Sequence, residues 1–129
     1  MTEIKKFTKI VLIYYGIAGA LFSFLYLVFT DLQLLNWPWP DPVPFWSLGF
    51  SMLVLTIASF LAFFKSEWEQ IKLYLEIMIM WVIGAILMDI AIVVVVPLNE
   101  AFMSQMVFNF IILSFNLIVG LLAYIKQRA

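Results

Sequence analysis

The sequence predicts an all-α polytopic membrane protein, an antiparallel bundle of four transmembrane helices, and three observations carry that expectation. Hydrophobic residues make up 66% of the 129 and charged residues 12%, against about half and about a quarter in soluble globular chains. Mean hydropathy is +1.11, and four apolar stretches fill nearly the whole chain, each close to the roughly 20 residues that a helix needs to cross about 30 Å of hydrocarbon. Every Lys and Arg flanks the same alternate ends of these stretches. Residues 1–129 are therefore expected to form one four-helix membrane domain in contact with the lipid bilayer.

TM1, residues 8–30, contains IVLIYYGIAGALFSFLYLVFT. Lys5, Lys6 and Lys9 precede it in the manner of a signal-peptide n-region. The apolar run is too long for an h-region and no clear cleavage site follows, so it reads as a retained helix. Gly16, Gly19 and Ala20 form a patch of small residues that suits close helix packing. Residues 31–43 form a Pro/Trp-rich outer loop, in which Pro38, Pro40 and Pro42, followed by Pro44, fix φ and remove backbone donors. A stiff, extended strap is expected, with the interfacial rings of Trp37, Trp39 and Trp46 at headgroup level. It serves either as a lid or docking strip, or as an aromatic belt with a connector, the commoner arrangement.

TM2, residues 44–64, opens with Pro44 where a first helical turn tolerates proline. Its Ser51, Thr56 and Ser59 are expected to bond back to their own helix carbonyls. TM3, residues 67–96, follows an almost absent connection, and Ser66-Glu67-Trp68-Glu69 fits a capping box. Glu69, Lys72 and Glu76 lie on one face of its first turns, where opposite charges can pair. TM4, residues 100–125, has Asn99 as a candidate N-cap and Glu100 at the positive end of the helix dipole. Lys5, Lys6, Lys9, Lys65, Lys72, Lys126 and Arg128 all fall on one side, while the opposite loops carry Asp31, Asp41 and Glu100. A cell-membrane, multi-pass protein with cytoplasmic N- and C-termini is the resulting expectation.

The composition also removes classes of chemistry. With neither Cys nor His, disulfides, thiol redox reactions, thiolate or imidazole zinc sites, histidine-ligated haem and histidine acid–base catalysis are excluded. A net charge of -1 gives no field that would recruit nucleic acid. No cofactor, metal or enzymatic activity is expected, because no nucleophile–base constellation is visible.

One residue stands apart. Asp89 is the only acid deep inside an apolar run, roughly 12 Å from Pro97 at 1.5 Å per residue. An aspartate at the centre of an inserting helix costs about 2.5–3.5 kcal/mol, which the surrounding Ile, Leu and Val offset at about 0.3–0.6 each. It should turn from lipid and find a partner. Gln105, Asn109 and Asn116 share a face of TM4, continued by Gly120. Asn109 lies as far beyond Ala101 as Asp89 lies before Pro97, so an antiparallel hairpin brings the two to similar depth. Glu76 falls on nearly the opposite face of TM3 and is not a catalytic partner for Asp89. The Asp89–Asn109 pair reads either as polar glue worth about 0.6–2 kcal/mol or as a proton, cation or ligand site.

Pro44-Phe45-Trp46-Ser47-Leu48-Gly49-Phe50 opening TM2, and FLAFFKSEW at 60–68 running into TM3, resemble the small bacterial and archaeal four-span proteins grouped as DoxX-like. That resemblance implies a compact four-helix bundle, in some members an accessory membrane subunit, and transfers no catalytic residue. The small multidrug-exporting four-span family fits less well, because its acid lies in the first helix and TM1 has none.

Two functions follow as expectations. The first is a non-enzymatic membrane protein acting through helix–helix contacts, as a homo-oligomer or an accessory subunit of a larger membrane complex. The second is a small proton- or cation-linked transporter or channel lined by Asp89 and the Asn109/Asn116 stripe. Sealed apolar surroundings at Asp89 and Asn116 would count against the second.

Overall fold

The computed structural model of the chain describes residues 2–35, 37 and 39–128. Five helices account for most of them: α1 (Lys6–Val28), α2 (Thr30–Leu34), α3 (Val43–Phe63), α4 (Trp68–Val95) and α5 (Glu100–Arg128). Among the described residues the extended structure is one isolated bridge, Glu3 to Glu67. Four helices, α1, α3, α4 and α5, are long and apolar enough to cross a membrane. Their outward faces carry Ile17, Leu61, Leu73 and Ile111, all well exposed, which is the inverse of a water-soluble surface.

Helix α1 packs along α3 and α4 along α5, and the two pairs meet through α1 with α5 and α3 with α4. Glycines set the first contact. A Cβ at Gly16 would stand 2.8 Å from the Phe60 ring, and one at Gly19 would overlap the Thr56 hydroxyl. The small-residue patch is thus the surface onto which α3 settles. Gly120 plays the same part between pairs, since a Cβ there would overlap the Tyr15 hydroxyl.

At one end the chain is tied together by its backbone. The Ile4 N–H donates to Ser66 C=O (3.1 Å) and the Trp68 N–H to Thr2 C=O (2.7 Å). This pairing corrects the expected capping box: Glu67 occupies the N-cap of α4 without a side-chain cap bond, and Glu69 instead accepts from the Thr2 N–H (3.2 Å). A distant strand supplies what the local motif was expected to supply. Lys9 donates to the Phe63 and Lys65 carbonyls, closing the C-terminal end of α3. The Lys5 ammonium reaches Lys126 C=O (2.5 Å), and Lys72 pairs with Glu76 at 3.9 Å. The basic residues therefore gather where residues 2–4, the α3–α4 turn and the end of α5 converge.

Gln127 holds that convergence. It is 2% exposed, its Oε1 accepts from the Lys5 N–H (2.9 Å) and the Thr8 hydroxyl (3.0 Å), and its Nε2 donates to Glu3 C=O (2.8 Å). Replacing Gln127 with Ala removes all three bonds and takes the acceptor from the buried Thr8 hydroxyl, and a loss of about 2 kcal/mol is expected. Unfolding of the detergent-solubilised protein, followed by circular dichroism, measures it. An unchanged midpoint would show that water replaces the glutamine without penalty.

The opposite end departs from the expected strap. Asp31 to Leu34 carry no proline, and with Thr30 they form the short helix α2 rather than extended chain. The Thr30 hydroxyl donates to Tyr26 C=O (2.6 Å) and accepts from Trp46 Nε1 (3.1 Å), fixing the break after α1. Pro42 has helical dihedrals, φ -77° and ψ -16°, and Asp41 caps the Val43 N–H (3.0 Å). Pro38 and Asn36, part of the expected strap, lie outside the described residues. Beyond Pro97, Asn99 accepts from the Phe102 N–H (2.8 Å) and starts α5 as its N-cap.

Candidate functional site

The two helix pairs touch firmly in the half nearest the basic end. There the Tyr14 hydroxyl donates to Asn116 Oδ1 and the Tyr15 hydroxyl to Asn116 C=O, both at 2.5 Å. The hydroxyls of Ser59 and Tyr74 bond across α3 and α4. Below them lies the main apolar core, with Leu12, Ile71, Leu75 and Val82 fully buried. At the other end aromatic rings form a roof, of which Tyr26 lines the space beneath. The Trp37 ring meets Phe45 and Phe102 edge-on, at centroid distances of 5.0 and 4.9 Å, and Phe45 stacks on Tyr26 at 5.7 Å.

Between floor and roof is a cavity of about 100 Å³ walled by all four long helices. Asp89 and Asn109 line it together with Asn116, so three of the four residues singled out for an intramembrane polar site share one space. Gln105 does not join them. Its amide reaches Gln33 on α2 at 3.4 Å: the side chain lies on the expected face of α5 but one turn nearer the roof, outside the cavity.

Asp89 is 6% exposed. The expected hydrogen bond from Asn109 is absent: among the described residues none donates to the Asp89 carboxylate. The Thr56 hydroxyl in the same wall is likewise buried without a partner, contrary to the expectation that it bonds its own helix. Ser51 and Ser59 do so, to Leu48 C=O (2.8 Å) and Leu55 C=O (3.0 Å). Nearly all buried polar groups in folded proteins are paired, so the unpaired Thr56 hydroxyl in the wall that also holds Asp89 marks a place where something else supplies the partners. Glu76 is remote from it, bonded by the Tyr124 hydroxyl (2.7 Å).

The tryptophans separate into two roles. Trp39 and Trp46 are 46% and 44% exposed, whereas Trp37 turns inward, its Nε1 buried without a bond. Trp37 thus belongs to the aromatic cluster with Phe45 and Phe102. Tyr26 and Trp81 are cavity residues that sequence reading passed over. No periodic signal distinguished them from ordinary packing, because apolar and hydroxyl residues surround them on every face. Among the described residues no three of His, Cys, Asp or Glu come together, and Asp89 is the sole carboxylate in the cavity wall.

Compared with family models, curated proteins and solved structures, this chain finds no match in any of the three.

Proposed function

We propose that this chain is an antiparallel four-helix membrane protein of the cell membrane, with its basic end in the cytoplasm, that works as a small proton- or cation-linked carrier. Asp89 carries the reading: a buried carboxylate, without a protein donor among the described residues, lining a cavity with Asn109 and Asn116. An aspartate serving only as glue between α4 and α5 would be bonded to Asn109. An unpaired one awaits a proton, a cation or a solute. The Tyr14 and Tyr15 bonds to Asn116 across the floor favour a carrier over a continuous channel.

Contact with another membrane subunit is a second reading, favoured by Gly84, which meets open space on the exposed side of α4. The DoxX-like resemblance points the same way. The two readings are compatible, since the cavity lies inside the bundle and Gly84 outside it.

Proteoliposomes with a trapped pH dye test the carrier. Under an imposed potential the unaltered protein is expected to admit protons, Asp89→Glu to retain exchange, and Asp89→Asn to fall to the rate of empty vesicles. Equal rates for the unaltered protein and Asp89→Asn would remove Asp89 from the mechanism.

A further inference from the structure

We infer that the cavity takes a small organic ammonium cation, held by Asp89 at one wall and by aromatic and thioether side chains around it. This rests on the reading of Asp89 as the working group of a carrier and names the class of its cargo.

The argument begins with size. A single water requires about 10–15 Å³ of such space, so about 100 Å³ admits a group of several heavy atoms. A proton alone would need none of it. Hard inorganic cations fit the ligand set poorly, since roughly six to eight oxygens surround an ion such as calcium. The wall offers one carboxylate, Asp89, and otherwise the Asn109 and Asn116 amides and the hydroxyls of Thr56, Ser59, Tyr15 and Tyr26. Several of these are already bonded to protein partners, so a single anionic ligand would face a strongly hydrated ion. The Asn116 side-chain oxygen already accepts from Tyr14.

The rest of the wall is soft and polarisable. Phe22, Tyr26 and Trp81 line the space with the thioethers of Met52, Met78 and Met88. Aromatic faces attract alkylammonium groups through the ring quadrupole, more strongly once water is excluded, and methionine adapts to irregular apolar shapes. One carboxylate matches one positive charge, while the methyl or methylene surface of the cation replaces water against the rings. Anionic and neutral polar solutes lack that match, because no basic residue lines the cavity.

The test uses the full chain in lipid nanodiscs and tetramethylammonium chloride as the probe, with calorimetry reading the affinity. Saturable binding is expected, weakened at least tenfold by Asp89→Asn and about fivefold by Trp81→Leu, the latter equivalent to about 1 kcal/mol of lost cation–π attraction. Equal binding to the unaltered protein and Asp89→Asn, or displacement by sodium chloride at matching concentration, would overturn the inference. In the unaltered protein, tetramethylammonium should also slow labelling of Asp89 by dicyclohexylcarbodiimide, read by mass spectrometry, so the result does not depend on a variant folding. Unchanged labelling overturns it too. If tetramethylammonium fails to bind while Asp89-dependent proton exchange persists, the organic-cation class falls and the carrier stands. If both fail, both fall.

Discussion

Gly19→Leu is expected to force α1 and α3 apart and to lower the stability of the folded protein by about 3 kcal/mol, at the upper end of what overpacking a tight contact usually costs. The reason is local. Even a single Cβ at Gly19 would overlap the Thr56 hydroxyl, and it would stand 3.7 Å from the Met52 carbonyl oxygen, which belongs to backbone and cannot rotate aside. A leucine adds three more carbons, which must displace Thr56 and either wedge α1 from α3 or fill the cavity that Gly19 lines. Gly84→Leu is the matched control, because nothing lies within 4 Å of a Cβ there, and a change within about 0.5 kcal/mol is expected of a surface site. Reversible unfolding in detergent, read by helical circular dichroism, compares the two. Similar losses at both positions would mean that the effect does not arise at the contact between α1 and α3, since helix propensity alone favours leucine over glycine. Gly19→Ala combined with Thr56→Ala should recover most of what Gly19→Ala alone loses, since the overlapping hydroxyl is removed and it makes no hydrogen bond.

Asp89→Asn is expected to abolish exchange and cation binding while leaving the protein folded, a separation that structural glue would not permit. If Asp89 tied α4 to α5, losing its bond would cost about 0.6–2 kcal/mol. With no donor on the carboxylate there is no bond to lose, and a neutral amide of the same shape removes the cost of a buried negative charge, so a gain on the order of 1 kcal/mol is expected. The sign of the stability change therefore decides between the two. A melting temperature that falls with Asp89→Asn, together with reduced yield of folded protein, would return Asp89 to a structural role. A rise accompanied by lost exchange supports the cavity as a working site.

Much of this architecture was legible because it rests on local physics. Long apolar runs must bury their own backbone hydrogen bonds, which makes them helices whatever surrounds them. Asn99 and Pro44 mark helix starts through bonds made within one turn. Lys72 and Glu76 are neighbours on any α-helix. Asp89 was conspicuous because an acid in such a run needs a reason to be there.

The departures share a different origin. Periodicity places Gln105, Asn109 and Asn116 on one face of α5, but it does not say at what height a roof forms over that face. Gln105 falls on the far side of it, against Gln33. Ser66 and Glu69 matched a cap that depends on nearby sequence alone, and residues 2–4 took the available donor from across the chain. Trp37 belongs to a connection with no period to read, so its turn inward onto Phe45 and Phe102 was invisible.

By itself the sequence determined four long apolar helices, the gathering of their basic residues at alternate ends, and one acid within their span. Only the tertiary structure decided that Asp89 and Asn109 share a cavity without a bond between them, that Thr56 is left unpaired beside them, and that Trp37 turns onto Phe45 and Phe102. Helical repeats and caps arise from atoms within a turn or two of one another, whereas a void is made by four surfaces that fail to meet, and no single segment encodes the gap between them.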